Sequence, residues 1–108
     1  MAVRLTRGAR RDIEDIYRYV AENDSLDKAD TLIEMLLDLC RSLANFPERG
    51  NRPKELMALG MTEFRELHHG PYRAIYSAVG DTIYVHAVVD GRRDMQTLLR
   101  VRLSRRMG

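Results

Sequence analysis

Arginine is the residue type most able to do chemistry in this 108-residue chain, with 16 Arg against 2 Lys. The planar guanidinium binds carboxylates and phosphates through two parallel hydrogen bonds. Because it stays charged at neutral pH, it cannot readily move protons. The arginines therefore indicate an acidic or polyanionic partner, although a solvated surface explains any single one of them equally well.

The basic residues are concentrated at the two ends of the chain. Residues 1–11 carry four Arg and no acid, and residues 91–108 carry six Arg against Asp94. Between them, residues 12–38 carry nine acids against Arg18 and Lys28, and residues 39–90 are balanced at six against six. The formal net charge of +2 thus conceals a strong segregation of charge along the sequence.

The C-terminal arginines have three interpretations. They solvate the last helix, they contact DNA or an acidic protein surface, or they bind the acidic helices of their own chain. Six Arg in residues 91–108 exceed what solubility needs, which favours contact with a partner. No helix-turn-helix, zinc or ribbon motif accompanies the charge, so we expect no sequence-specific reading of DNA.

Candidates for proton transfer or metal binding are few. His68 and His69 are adjacent on a predicted strand and face opposite sides, so this pair cannot bind one metal ion together. Glu63 and Glu66 also fall on opposite faces. His86 stands alone, and an isolated strand histidine is more often a hydrogen-bonded structural residue. We therefore expect no metal, no cofactor and no catalytic residue.

The remaining composition bounds the class of protein. The single cysteine, Cys40, lies in an apolar helical pattern and is expected in the core, which excludes a disulfide framework. No apolar run is long enough to span a bilayer, and residues 1–11 lack the apolar stretch of a signal peptide. With 44% apolar residues, the sequence predicts one cytoplasmic domain over residues 1–108 that binds no membrane.

The N-terminal half predicts a strand and two helices. Apolar and polar residues alternate over residues 2–6, which predicts a short strand. A helix over residues 8–23 follows, with Thr6 as its cap. Ser25 caps a second helix whose apolar residues continue at helical spacing to Phe46, before Pro47 stops it. The very short link between the helices indicates an antiparallel hairpin.

In the C-terminal half, the spacing of apolar residues changes from helical to strand-like. Residues 47–60 read as a loop or short helical turn, and β-branched or aromatic runs over residues 62–69, 72–79 and 82–89 predict a three-stranded meander. Asp94 caps a final helix over residues 95–106. The order β-α-α-β-β-β-α is that of an α+β domain in which the helical hairpin covers one face of an antiparallel sheet. The opposite face then requires either solvent or a partner.

Several strings in this order resemble the RelE/ParE toxin superfamily, and the resemblance covers nearly the whole chain. It is carried by LTRGARRDIEDIYRYVAEND, LANFPERG, FRELHHGPYRAIYSAVGD and DGRRDMQTLL. The resemblance implies the toxin of a type II toxin–antitoxin module, in a hetero-oligomer with an antitoxin that lies across it. The RRD string and the Leu- and Arg-rich tail look more like the ParE branch, which inhibits DNA gyrase, than the RelE branch, which cuts mRNA on the ribosome.

The residues favour the ParE branch because those that RelE-like nucleases use for catalysis are missing. RelE-like nucleases supply Lys and Arg on the sheet face and a Tyr or His near the C-terminus, whereas nothing after His86 is His or Tyr and the only lysines are Lys28 and Lys54. We therefore expect a non-catalytic gyrase inhibitor. The alternatives are a ribosome-dependent mRNA endonuclease and an inactive module that only binds antitoxin.

Two contact surfaces follow from these expectations. The gyrase-binding surface is predicted to consist of arginines from the RRD string and the tail: Arg92, Arg93, Arg100, Arg102, Arg105 and Arg106. A ParD-like antitoxin is predicted to bind the exposed sheet face through Arg65, Arg73 and Tyr76.

Overall fold

A computed structural model describes residues 1–104 as an α+β fold, as the sequence predicts. Within these residues, no helix is both long and apolar enough to cross a membrane. Residues 47–60, which the sequence predicts as a loop or short helical turn, contain one short helix. The elements are β1 (Ala2–Leu5), α1 (Arg7–Asn23), α2 (Leu26–Arg41), a 3₁₀ turn (Ser42–Ala44), α3 (Lys54–Met57), β2 (Phe64–His69), β3 (Tyr72–Val79), β4 (Thr82–Asp90) and α4 (Met95–Ser104).

The three predicted helix caps are confirmed. The Thr6 hydroxyl accepts a hydrogen bond from the Ala9 N–H (3.2 Å), and the Ser25 hydroxyl accepts one from Lys28 N–H (3.1 Å). The Asp94 carboxylate accepts from the Thr97 N–H at 3.2 Å. Each cap satisfies a backbone donor that the first helical turn leaves without a partner, which fixes where the helix begins.

Helix α2 ends earlier than its apolar pattern predicts. The helix stops at Arg41 and tightens into the 3₁₀ turn, where the Ser42 hydroxyl donates to the Leu39 carbonyl at 2.5 Å. Leu43 remains buried in this turn and so prolongs the helical spacing past the helix itself. Phe46, the last residue of the predicted apolar set, lies beyond the helix and is 63% exposed.

The sheet has the strand order β1-β4-β3-β2. The predicted meander of β2, β3 and β4 is confirmed as antiparallel, with two-residue turns in which Gly70 and Gly80 have φ of 56° and 59°. Strand β1, which the sequence left unplaced, pairs in parallel with β4. It aligns Val3 with Ile83 and becomes one edge of the sheet.

Both faces of the sheet are covered by this chain. On one face, α1 and α2 enclose an apolar cluster that includes Cys40 as a buried core residue, as predicted. On the other face, α3 and α4 enclose a second cluster. The prediction that this face requires solvent or a partner is wrong, because α4 packs three buried side chains against it. This cluster contains Leu56, Phe64, Ile75, Ala87, Val89, Met95, Leu99 and Leu103.

A β-bulge in β4 disturbs the predicted alternation. The register with β3 shifts between Ile75 and Tyr76, which leaves His86 as an extra residue in β4. After the bulge, Val88 faces the helical hairpin, whereas His86 packs edge-to-face on Phe64 below α4 at a ring distance of 5.4 Å. The extra residue therefore puts His86 and Val88 on opposite faces of the sheet, although a regular strand would place two residues at this spacing on one face.

Replacement of Leu99 by Ala tests whether α4 belongs to the core. Leu99 is fully buried, so Leu99→Ala is expected to lower the free energy of unfolding by about 2–5 kcal/mol. Val101, on the same helix, is 48% exposed, and Val101→Ala should change it by less than about 0.5 kcal/mol. Chemical denaturation of the two variants measures both values, and equal effects would contradict the packing of α4.

Candidate functional site

Arg102 is not a free contact residue. Its guanidinium bonds both Asp12 carboxylate oxygens at 2.9 Å, and one nitrogen also donates to the His86 carbonyl at 3.3 Å. Gly8 leaves the room for this arrangement, since a Cβ there would lie 3.0 Å from the guanidinium. The sequence left open that the tail arginines bind the acidic helices of their own chain, and for Arg102 this interpretation is correct.

The Asp12 carboxylate accepts the hydrogen bonds of Arg102 and also binds the sheet. Asp12 is buried on α1, and its Oδ2 also accepts the Val88 N–H at 2.9 Å. One carboxylate therefore joins α1, β4 and α4. Sequence reasoning missed it, although its spacing of three from Ala9 and four from Ile16 places Asp12 beside the apolar stripe of α1.

The RRD string begins with a surface ion pair. The Arg92 guanidinium binds the Asp90 carboxylate, with the closest nitrogen–oxygen distance at 2.5 Å. The hydrogen bonds from the Arg92 side chain and backbone hold the pKa of Asp90 at about 2, so the pair remains charged. Arg92 itself is exposed and projects from the sheet end, as its predicted role as a contact residue requires.

Two described arginines of the predicted gyrase-binding surface, Arg93 and Arg100, are not bound to a carboxylate. Both are exposed, and within residues 1–104 neither forms an ion pair. Arg93 lies at one end of an open groove along α4, where Leu98 and Val101 supply apolar surface. The predicted contact residues Arg105 and Arg106 lie outside the described residues.

Arg73 is buried, in contrast to the exposed position that the sequence predicts. Its side chain bonds both carboxylate oxygens of Glu55 on α3 at 2.8 Å and one oxygen of Glu66 on β2 at 2.5 Å. The hydrogen bonds from Arg73 lower the pKa of Glu55 to about 2. A Cβ on Gly91 would lie 2.6 Å from the Arg73 Cδ, so this site has no room for a larger residue.

Tyr76 is also buried, at 1% exposure. Its hydroxyl donates to the Pro47 carbonyl (2.9 Å) and accepts from the Gly50 N–H (3.0 Å). Arg65 donates to the Gly50 carbonyl at 2.9 Å and is partly exposed. These bonds fix the loop after α2 against the sheet, and a Cβ on Gly50 would lie 2.5 Å from the Glu66 carbonyl.

In the described residues 1–104, the sheet face on which the antitoxin contacts were predicted is covered and not exposed. Arg73 and Tyr76 instead connect the sheet to α3 and to the preceding loop, because each satisfies buried polar groups there. This corrects their predicted exposure. Antitoxin binding through Arg65, Arg73 and Tyr76 stays a prediction that no observation tests.

The histidines do not converge on one site. His86 is buried, with its Nε2 2.7 Å from the Ser77 hydroxyl. His68 is exposed on β2, where its Nε2 lies 3.3 Å from Glu66. Within residues 1–104, no group of three or more His, Cys, Asp or Glu side chains could bind a metal ion.

Comparison with known proteins places the chain in a family. The family model for the ParE toxin of the type II toxin–antitoxin system, parDE, matches residues 3–95. The chain belongs to the ParE toxin family. No curated protein matches the sequence.

A solved structure shares the fold of this ParE-family chain. It is described as the chromosomal ParDE TA system from P. aeruginosa, and the alignment has a TM-score of 0.72 at 22% sequence identity. It covers 83% of this chain and 95% of that one. The two chains therefore have the same fold over most of their length.

Removal of the Arg102 guanidinium tests the contact between α1 and α4. Arg102→Gln leaves the buried Asp12 carboxylate with one strong donor fewer, so the free energy of unfolding should fall by about 2 kcal/mol. Arg100→Gln is the matched control on the same helix, and its stability should stay within about 0.5 kcal/mol of the parent. Chemical denaturation measures both, and equal stability of the two variants would contradict the contact.

The Glu55–Arg73 pair predicts a loss of stability in acid. The pKa of Glu55 is lowered from 4.5 to about 2, so folding favours the ionised carboxylate and its contribution is complete above pH 4.5. The free energy of unfolding should therefore fall as the pH falls from 4.5 towards 2. Glu55→Gln should reduce this slope, whereas Glu63→Gln at an exposed position should retain it. Thermal unfolding at a series of pH values gives the comparison, and an unchanged slope in Glu55→Gln would show that another group is responsible.

Proposed function

We propose that this ParE-family protein inhibits DNA gyrase as a non-catalytic toxin in the cytoplasm. The observation that carries the proposal is the match to the ParE toxin family over residues 3–95. A ParD-like antitoxin would neutralise it in a hetero-oligomer, which is the arrangement that the type II module of this family implies.

The surface at the start of α4 supports a role in binding. Arg93 and Arg100 are exposed cations with no acidic partner among residues 1–104, so they remain available for carboxylates or phosphates of a target. Arg92 is exposed beside them, although Asp90 already neutralises it. Arg102 contributes indirectly, because its bonds to Asp12 fix the position of α4.

The arrangement of the other polar groups gives little support to nuclease chemistry. Cleavage of RNA requires a base, an acid and a cation at one phosphate. Arg73 already binds two carboxylates, and His86 lies in the core. Both are therefore poorly placed to act on a substrate.

One groove favours the second candidate, a ribosome-dependent mRNA endonuclease. Arg52, Lys54 and Arg92 line an open groove together with His68, the exposed imidazole beside Glu66. Arg52 and Lys54 would bind an RNA phosphate there, and the His68 imidazole would accept a proton. The two candidate functions therefore depend on different residues, and an experiment can separate them.

Induction of the protein in cells tests the proposed function. Gyrase poisoning should produce linear, protein-linked plasmid DNA while messages stay intact. Codon-phased cuts in mRNA, abolished by His68→Ala, would instead establish the endonuclease. The absence of any growth defect would point to an inactive module that only binds antitoxin.

Substitution of the free arginines tests the site. Arg93→Ala combined with Arg100→Ala should lower the amount of linear plasmid by about tenfold or more, because charged residues in the centre of an interface contribute strongly to binding. Arg41→Ala removes an exposed arginine on α2 and should leave toxicity unchanged. Full toxicity of the double variant, with normal expression and folding, would contradict this assignment of the contact surface.

A further inference from the structure

Strand β4 has a neighbouring strand on its outer side over only the first part of its length. Strand β1 pairs with β4 only from Ala2 to Leu5, opposite Thr82 to Val85. The Thr6 N–H still donates to the Val85 carbonyl at 3.0 Å, and the chain then turns away into α1. The second half of β4 therefore forms the edge of the sheet, and helix α1 lies beside it across an open cleft.

Backbone groups of this edge point towards α1. The Val88 N–H points outward, since it donates to the Asp12 side chain, and the Gly91 N–H points inward to the Pro71 carbonyl at 2.7 Å. Because successive residues of a strand point their backbone groups to opposite sides, the Val88 carbonyl and the Asp90 N–H also point outward. Asp12 thus occupies one position of a missing strand, and the next two backbone groups face a cleft.

The cleft between α1 and this edge has a volume of about 410 Å³. Ile16 and Tyr19 of α1 form one wall, and Tyr72 and Val88 of the sheet form another. Tyr19 is 67% exposed, the largest exposed fraction among the large apolar side chains of the described residues. A strand edge beside exposed aromatic surface is the combination by which proteins recognise an extended peptide.

The charges around the cleft select the partner's chemistry. Three carboxylates line the cleft, and each has an arginine partner: Asp12 binds Arg102, Asp90 binds Arg92, and Asp15 lies 3.5 Å from Arg18. Arg93 lines the same cleft and, within residues 1–104, binds no acid. Arg93 therefore favours a partner that brings a carboxylate into the cleft.

We propose that this cleft binds an extended segment of the target protein by strand addition to β4. The segment accepts a hydrogen bond from the Asp90 N–H, donates one to the Val88 carbonyl and places an apolar side chain against Tyr19 and Tyr72. A carboxylate of the segment binds Arg93. The inference rests on the proposed function and names how the target is bound.

Tyr19→Ala tests this inference in a cleavage assay with purified protein and purified gyrase. The variant should need about tenfold more protein than the parent to give the same linear DNA, which is a typical loss for an aromatic residue in an interface. Phe46→Ala is the matched control, since Phe46 is similarly exposed at 63% on another surface, and its effect should stay within about twofold. Both side chains are exposed, so both variants should keep the parental melting temperature.

Hydrogen exchange separates strand addition from side-chain contact alone. Gyrase should slow exchange of the Asp90 amide, whereas the Gly91 amide is already bonded to Pro71 and should change little. A parent protein that does not poison gyrase would overturn the proposed function and this inference with it. A parent that poisons gyrase while Tyr19→Ala is equally potent would overturn only the cleft. Loss of neutralisation by the antitoxin in Tyr19→Ala, with gyrase poisoning intact, would assign the cleft to the antitoxin and overturn the inference as well.

Discussion

The buried Asp12 carboxylate determines how the parts of this domain fit together. It accepts hydrogen bonds from the Val88 N–H and from the two terminal nitrogens of the Arg102 guanidinium, and so it joins the first helix, the last strand and the last helix. A carboxylate leaves water at a high cost unless donors surround it. Asp12 therefore requires α4 to lie with Arg102 facing α1, which turns Arg100, two residues earlier on the same helix, towards solvent.

A second buried ionic group organises the opposite side of the sheet. Arg73 binds Glu55 and Glu66, which attaches the short helix α3 to the sheet. Leu56 of α3 is buried in the cluster beneath α4, so apolar burial and these ionic bonds together hold the helix in place. Arginines of the two ends and of the sheet consequently have different roles: Arg73 and Arg102 connect elements within the chain, and Arg93 and Arg100 face outward.

This division explains how one fold supports both stability and recognition. The same chain that closes both faces of its sheet leaves half of the β4 edge facing a cleft. Strand edges are usually covered, since their free backbone groups attract other chains. Here Asp12 covers one position of that edge and the next backbone groups face the cleft beside the free Arg93.

The sequence alone determined the elements, their caps, the meander and the family, because hydrophobic period, capping residues and turn glycines are local signals. It also determined the division of charge between the ends and the acidic helices. It did not determine which arginines are buried. Asp12 and Arg102 are 90 residues apart, and an arginine that binds a carboxylate looks the same in the sequence as one that faces water. The bulge at His86, the parallel pairing of β1 and the burial of Arg73 and Tyr76 were likewise decided by tertiary structure, because each depends on contacts between distant segments.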